Sequence, residues 1–232
     1  MAASWAERLA GDREALSTGS RAERTAGILR ERIIEGVFRP GERLSEEELS
    51  AALNVSRNTL REAFRQLGQE GVLVHEFGRG VFVRALSTED VRDIYAMRRI
   101  LELAAVRNLR NAPAGALDAV RHAVESAEEA AGRADWLAVG TANMRLHQAV
   151  AELTGSRRVR DVVRRLLAEL RLVFVVMADL REFHQPYLTS NRQLYELLVA
   201  GDAAAAEKAL AAYFDAAEGQ LLAAYADRTA AR

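Results

Sequence analysis

The segment from Val55 to Glu70, VSRNTLREAFRQLGQE, constrains the fold more strongly than any other part of the chain. Its apolar residues recur at intervals of three and four, which predicts a helix with one buried stripe. The stripe consists of Leu60, Ala63, Phe64 and Leu67. At about 100° per residue, a neighbouring face of the same helix collects four polar side chains. These are Arg57, Asn58, Arg61 and Arg65.

This polar face is typical of a helix that lies in a DNA major groove. Arginine forks bind guanine edges or phosphates, and asparagine pairs with adenine. Ser56 is placed to cap the helix, and the open N–H groups at that end suit a phosphate. A solvated surface helix that happens to be rich in arginine is the alternative interpretation.

The residues before this helix favour the DNA interpretation. Ser45 stands three residues before Glu48 in a capping-box pattern that predicts a short helix through Leu53. Asn54 tolerates the left-handed backbone that a tight turn between helices needs. A helix, a brief turn and a basic helix together form a helix-turn-helix.

Two strand-like segments follow the basic helix. Val72–Val74 and Val81–Val83 flank a turn at His75–Gly80, which predicts a β-hairpin wing with Arg79 between two glycines. An amphipathic segment at Arg21–Glu35 predicts a first helix that ends at Gly36. The sequence thus predicts a flexible arm over residues 1–19 and a winged helix-turn-helix DNA-binding domain over 20–85.

The remainder, residues 86–228, has helical periodicity throughout. Helices are predicted near 88–111, 114–131, 134–154, 157–183, 187–200 and 202–228, with breaks at proline and glycine. No strand-like alternation appears after Val83. The fold class is therefore mainly α, with an all-α antiparallel bundle after the winged domain.

Several polar residues fall on apolar faces of the predicted bundle. They are Arg98, Asn143, His147, Asn191 and Tyr213. An unpartnered polar group in a core costs about 1–3 kcal/mol, and a lone charge costs far more. The set indicates either a mutual hydrogen-bond network, with Glu102 as ion-pair partner of Arg98, or a wet cavity that holds a ligand. The buried guanidinium favours the cavity, and bidentate pairing would suit a carboxylate or phosphate there.

Composition excludes some classes of function. The chain has no cysteine, which removes disulfides and thiolate chemistry and fits a reducing cytoplasm. The net charge of −1 does not exclude nucleic acid, because the clustering of basic residues matters more than their total. No secretion signal or membrane-spanning apolar run is evident, so a cytoplasmic protein without a membrane partner is expected.

The N-terminal segment resembles the GntR family of winged-helix bacterial regulators. The resemblance rests on Arg39–Leu44, Val55–Arg57, Leu60–Ala63, Leu67, Glu70–Gly71 and Gly78–Gly80. The all-α part resembles the ligand-binding FCD domain of the FadR-like subfamily. Its anchors are Asp93–Arg98 with Glu102, Asn143-x-x-Leu-His147 and Ala200–Asp202.

The helix pattern and the resemblance together predict two sets of site residues. The DNA-binding set is Arg43, Ser56, Arg57, Asn58, Thr59, Arg61, Arg65, His75, Arg79 and Gly80. The effector-binding set is Tyr95, Arg98, Asn143, His147, Asn191 and Tyr213. The family more often has Thr-Pro-Val where this chain has Asn58–Leu60, which leaves the half-site preference open.

A departure from the family concerns metal. Many FCD domains hold a divalent ion with an Asp and a His one turn apart and two later histidines. By spacing, those positions are Asn143, His147, Asn191 and Tyr213, of which only His147 is a good ligand type. The expectation is no cofactor and no metal beyond a weakly held ion at His147, with these residues hydrogen-bonding an organic effector directly. The alternative is that another effector loop supplies ligands.

These observations predict a homodimeric transcriptional repressor whose affinity for operator DNA is controlled by a carboxylate-bearing small molecule. One alternative is a DNA-binding dimer without an effector. Another is an enzyme with His147 as general base, but no Ser/His/Asp set, paired carboxylates or phosphate-binding glycine loop can be assembled. His122 and His184 are expected at the surface, where each would be solvated.

Overall fold

In this computed structural model, residues 20–34, 37–174, 177 and 179–230 are described. The predicted arm over 1–19 and the predicted helix end at Gly36 lie outside these residues. The chain divides into two compact units between Leu86 and Ser87. We call them the N-terminal unit and the C-terminal unit and describe each by itself.

The N-terminal unit has three helices and a small antiparallel sheet. Its helices are α1 (Arg21–Ile34), α2 (Glu46–Leu53) and α3 (Arg57–Gln69), and its strands are β1 (Arg43–Leu44), β2 (Leu73–Glu76) and β3 (Gly80–Val83). The strand order is β1-β3-β2. The predicted winged helix-turn-helix is confirmed, with two differences. β1 adds a third strand by placing Arg43 opposite Phe82. β2 and β3 both extend into the predicted turn, because His75 pairs with Val81 and Glu76 with Gly80.

The core of this unit lies between α1 and α3. The predicted stripe of α3 is buried throughout, and it meets buried side chains of α1. The α1 residues are Ala26, Ile28, Leu29 and Ile33. Asn54 adopts the left-handed conformation at φ 50°, which turns the chain between α2 and α3. Arg30 donates from Nε and Nη2 to the two carboxylate oxygens of Glu70, both at 2.7 Å, and so links α1 to the end of α3.

The described residues of the C-terminal unit form helices and no strand. Their bounds are α4 (Thr88–Arg98), a π-helical turn (Arg99–Leu103), α5 (Ala104–Arg107), a 3₁₀ turn (Leu109–Asn111), α6 (Ala116–Gly132), α7 (Trp136–Glu152), α8 (Arg157–Phe174), α9 (Leu180–Val199) and α10 (Ala203–Ala230). The mainly helical class is confirmed. Ser87 and Asp90 form a reciprocal capping box at the start of α4. The π-helical turn places Glu102 in the core.

Three predicted bundle helices differ from expectation. The first, expected near 88–111, is divided into α4, the π-helical turn, α5 and the 3₁₀ turn, and the fourth and fifth have different bounds. α8 ends at Phe174 instead of residue 183, and α9 begins at Leu180, before Pro186 instead of after it. Asp179 caps α9 by accepting from the backbone N–H groups of Arg181 and Glu182. Pro186 removes one hydrogen bond in the second turn. The earlier start buries Phe183 and His184, which offsets that loss.

Among the described residues, no helix has both the length and the apolar character needed to span a bilayer.

Candidate functional site

The polar face of α3 is exposed, as its helical phase predicts. Ser56 caps the helix, since its Oγ accepts the Thr59 backbone N–H at 3.1 Å. The four long polar side chains that follow lie at the surface; they are Arg57, Asn58, Arg61 and Arg65. The structure therefore brings a capped helix N-terminus and three guanidinium groups onto one side of the N-terminal unit.

Two of these arginines already have carboxylate partners. Arg61 Nε lies 2.9 Å from an oxygen of Glu46, and Arg65 pairs with Glu62 on the same helix. Within the described part of the chain, Arg57 makes no ion pair. Exposed pairs contribute about 0–1 kcal/mol, so an incoming phosphate displaces them at small cost.

The wing presents the remaining predicted DNA-binding residues. His75 and Arg79 are exposed, and Arg79 pairs with Glu76 while it lies 5.3 Å above the ring of Phe82. Gly80 has φ 114°, and a Cβ there would lie 3.1 Å from Nε of Arg43. Glycine is required here because a side chain would strain the backbone and crowd the Arg43 guanidinium.

One residue of the wing is absent from the predicted set. Phe77 at the tip of the hairpin is 99% exposed. The sequence held a signal for it, because an aromatic residue inside a glycine-rich turn has no core to enter.

The C-terminal unit contains a buried polar cluster that includes the predicted effector residues. Arg98, Glu102 and His147 are each at most 1% exposed. Arg98 Nε donates to Glu102 Oε1 at 2.8 Å, and His147 Nδ1 lies 2.7 Å from Glu102 Oε2. The ion pair expected between Arg98 and Glu102 is therefore confirmed, and the carboxylate joins the guanidinium to the imidazole.

The other predicted residues complete this cluster. Asn143 Oδ1 accepts from Asn191 Nδ2 at 2.8 Å and from the Tyr213 hydroxyl at 3.0 Å. The Tyr213 ring lies 5.0 Å from the imidazole of His147, and the Arg98 guanidinium lies 5.1 Å from the ring of Tyr95. Four helical elements thus bring all six predicted residues together.

Three buried polar atoms of the cluster have no hydrogen-bond partner in the part of the chain that the structure describes. They are Arg98 Nη2, His147 Nε2 and Asn191 Oδ1. The first is a donor and the last an acceptor. The cavity lined by Arg98 and His147 has a volume of about 10 Å³, enough for about one water. The cluster is therefore neither fully paired nor, in this conformation, open enough for a larger guest. Because Arg98 Nε is used by Glu102, bidentate pairing through that edge is not open to a ligand.

Burial, neighbouring charge and hydrogen bonds together set the protonation of the cluster. Burial works to raise the pKa of Glu102, but the charge of Arg98 and the hydrogen bonds from Arg98 and His147 outweigh it and hold that pKa below its usual range. Burial and the charge of Arg98 lower the pKa of His147. At neutral pH, then, Glu102 is charged and His147 is neutral. With Nδ1–H donating to Glu102, His147 Nε2 is left as an acceptor.

Comparison with known proteins identifies the architecture. Residues 21–83 match the gntR family of bacterial regulatory proteins, and residues 93–216 match the FCD domain. A crystal structure of a GntR transcriptional regulator from Rhodococcus sp. RHA1 has a TM-score of 0.81 and 46% sequence identity, covering 89% of this chain and 100% of that one. The chain belongs to the GntR family.

Two further relatives are regulators of transcription. The uncharacterized HTH-type transcriptional regulator YdhC of Bacillus subtilis is 25% identical over 190 residues, which are 81% of this chain and 84% of that protein. The Nta operon transcriptional regulator of Aminobacter aminovorans is 49% identical over 70 residues, which are 30% of this chain but only 33% of that protein. The FadR-like arrangement of a GntR helix-turn-helix and an FCD domain is confirmed, and the chain is a transcriptional regulator, not an enzyme.

The residues at the FCD metal positions of this GntR-family chain do not fit a divalent metal. Asn143 Oδ1 is already taken by two donors, and Tyr213 is one of them. Burial raises the pKa of Tyr213, which opposes the phenolate form. His147 Nε2 and Asn191 Oδ1 remain, and two neutral ligands are too few for zinc or nickel. Within the described ranges, no group of three or more His, Cys, Asp or Glu residues could hold a metal ion.

The expectation that His184 is solvated was wrong, whereas His122 is exposed as predicted. The early start of α9 turns His184 inward, where its ring packs edge-on against Phe174 and Phe183 at 5.0 and 4.8 Å. Gly140 of α7 admits the ring, because a Cβ there would lie 2.6 Å from His184 Nε2. The sequence held a signal for the burial of His184. This residue stands seven positions, or two helical turns, before Asn191 and therefore shares its helix face, but the predicted helix break at Pro186 obscured that relation.

The burial of His184 predicts a dependence of stability on pH. Burial and the charge of Arg171 lower the pKa of His184 to about 4. Between the unfolded pKa near 6.5 and this folded value, the unfolded state binds more protons, so stability falls as the pH falls. His184→Gln should therefore reduce the loss of unfolding free energy between pH 7 and pH 5 by about 2 kcal/mol. Urea titrations of both proteins at the two pH values measure this. If both proteins lose the same unfolding free energy between pH 7 and pH 5, the His184 imidazole is exposed to water and the prediction is wrong.

Proposed function

We propose that this regulator binds operator DNA as a homodimer through α3 and the wing, and that a carboxylate-bearing small molecule in the C-terminal unit controls the operator affinity. The expected mode is repression in the cytoplasm. The observation that carries the DNA part is the exposed arginine face beside the capped N-terminus of α3.

The DNA contacts divide by chemistry. Arg57 and Asn58 lie in the first turn of α3, the part of a recognition helix that reaches base edges. Arg61 and Arg65 exchange their carboxylate partners for phosphates or bases. Ser56 and Thr59 lie at the N-terminus of α3, where the cap presents the helix to a phosphate. The other predicted residues position the wing on the neighbouring backbone or groove. They are Arg43, His75, Arg79 and Gly80.

The effector part is supported by the incompletely paired cluster. Two unpartnered atoms, Arg98 Nη2 and His147 Nε2, belong to residues that line one cavity and offer hydrogen bonds that a ligand could complete. Since the cavity holds about one water, the effector-bound state requires the surrounding helices to separate. Control of DNA binding then follows if the effector prefers the conformation of one DNA-binding state, because only differential affinity shifts an equilibrium.

The dimer is supported by exposed apolar side chains on the first bundle helix. Met97 is 42% exposed, and Ile100 of the π-helical turn is 67% exposed. A two-fold dimer would place two recognition helices on half-sites of a near-palindromic operator. A DNA-binding dimer without an effector is the second candidate, and a ligand response discriminates between them.

The function is tested by titrating a labelled operator fragment with the full chain. We expect Arg57→Ala and Arg61→Ala each to weaken operator binding about tenfold, because each removes a guanidinium from the DNA-facing side of α3. Fluorescence anisotropy at fixed ionic strength measures the change.

Arg164→Ala is the matched control. This arginine is also exposed and helical, but it lies on α8 and pairs with Asp161 at 3.3 Å. Its operator affinity should equal that of the parent. If both α3 variants also bind as the parent does, α3 is not the recognition helix.

A further inference from the structure

Arg171 on α8 is part-buried, and its side-chain contacts are with uncharged groups. Its Nη2 donates to Thr141 Oγ1 at 2.6 Å, and its Nη1 lies 3.9 Å from Met144 Sδ. Its Nε is buried and meets no hydrogen-bond partner among the described residues. Within the described residues no Asp or Glu oxygen lies within ion-pair distance of it, although Arg98, Arg99 and Arg192 of the same unit each have one.

The surroundings of Arg171 carry excess positive charge. Burial and the nearby charge of Arg145 on α7 lower the pKa of Arg171 to about 10, so it remains charged at neutral pH. From α9, His184 faces the same group and is neutral at that pH. Removing a guanidinium from water without an anion opposite it costs free energy. The hydrogen bond to Thr141 offsets part of this cost, but no carboxylate among the described residues offsets the rest.

The position of Arg171 links it to the effector cavity. Met144, which its guanidinium contacts, lines the cavity together with Leu170, Phe174 and Phe183. Leu170 immediately precedes Arg171 in α8, and Phe174 follows one turn later. An apolar wall thus runs from the polar cluster to the flank where this unpaired charge lies.

The Arg98 cluster is less suited to a carboxylate. Arg98 already has Glu102 as its counterion, and His147 is neutral beside it, so the buried cluster has no net charge. A second carboxylate would leave it negative and out of water. Its free donor and acceptors suit neutral hydroxyl or carbonyl groups instead.

We propose that Arg171 binds the carboxylate of an amphipathic effector, whose apolar part lies against Met144, Leu170, Phe174 and Phe183 while its neutral polar groups meet the Arg98 cluster. This proposal rests on the proposed function and specifies the chemistry of its ligand. Thr141 holds the guanidinium in place through Nη2.

The test uses sodium benzoate as probe and benzyl alcohol as its uncharged counterpart, on the full chain at constant ionic strength. Isothermal titration should show benzoate binding to the parent more tightly than benzyl alcohol. Arg171→Met should weaken benzoate binding at least about tenfold, the effect of losing a charge-assisted pair. Because Met removes an unpaired charge, the Tm of this variant without probe should equal or exceed that of the parent.

Two further variants separate the effect of the Arg171 fork from that of positive charge in general. Arg171→Lys keeps the charge without the fork and should bind benzoate with intermediate affinity, whereas Arg164→Met should bind as the parent does. Parent protein that does not bind benzoate, or Arg171 variants that bind it unchanged, would overturn the proposal. If the parent still binds its operator in the Arg57 and Arg61 titration, such a result removes only this ligand assignment and leaves the DNA-binding function in place.

Discussion

Glu102→Gln is expected to destabilise the C-terminal unit by about 3 kcal/mol or more, the largest effect of any substitution considered. The change keeps the shape of the side chain and removes the only charge within ion-pair distance of the buried Arg98 among the described residues. It also removes the carboxylate that His147 Nδ1 contacts. Chemical denaturation of the full chain, followed by circular dichroism, measures the loss.

Two controls separate the buried charge from a general effect of losing a glutamate. Glu207→Gln breaks an exposed pair with Arg107 in the same unit and should cost less than about 1 kcal/mol. The double variant Arg98→Met/Glu102→Leu removes both charges and should recover most of the stability. A Glu102→Gln protein as stable as the parent would mean that water reaches Arg98.

Gly140→Ala should cost about 2–3 kcal/mol, although alanine normally favours a helix over glycine. The new methyl would lie 2.6 Å from His184 Nε2, and the ring cannot swing away because Phe174 and Phe183 pack on it. Thermal and urea unfolding of the full chain report the difference.

Gly219→Ala is the control with the opposite sign. Gly219 lies inside α10, and a methyl group added there would meet no described atom within 4 Å, so alanine should stabilise by about 0.5–1 kcal/mol. Adding His184→Ala to Gly140→Ala should remove the clash, and the double variant should be no less stable than His184→Ala alone. Additive losses in the double variant would contradict the steric explanation.

The recognition helix was predictable because local rules agree with its tertiary packing. The apolar period of α3, the Ser56 cap and the left-handed Asn54 all act within a few residues. The inward-facing polar residues were predictable for a related reason. Helical phase alone puts Asn143 and His147 on the same buried face of α7 as Val139 and Leu146.

Features that depend on distant partners were not predictable. The two residues of β1 become a strand only through pairing with β3, which lies far along the chain. The span of α9 depended on whether the Asp179 cap and the burial of Phe183 outweigh Pro186, a balance set by tertiary packing. Helical spacing indicated Glu102 as a partner of Arg98, but the sequence did not show that Arg171 would lack a carboxylate partner among the described residues.

The ion pairs on α3 affect how operator binding should respond to electrolyte. When a guanidinium without an ion-pair partner binds a DNA phosphate, that phosphate releases its condensed counterion, and no cation is taken up elsewhere. When Arg61 leaves Glu46 for a phosphate, the vacated carboxylate attracts a cation from solution, which partly cancels that release. The same holds for Arg65 and Glu62. The logarithm of operator affinity should therefore fall less steeply with the logarithm of sodium concentration than the number of arginines on α3 implies.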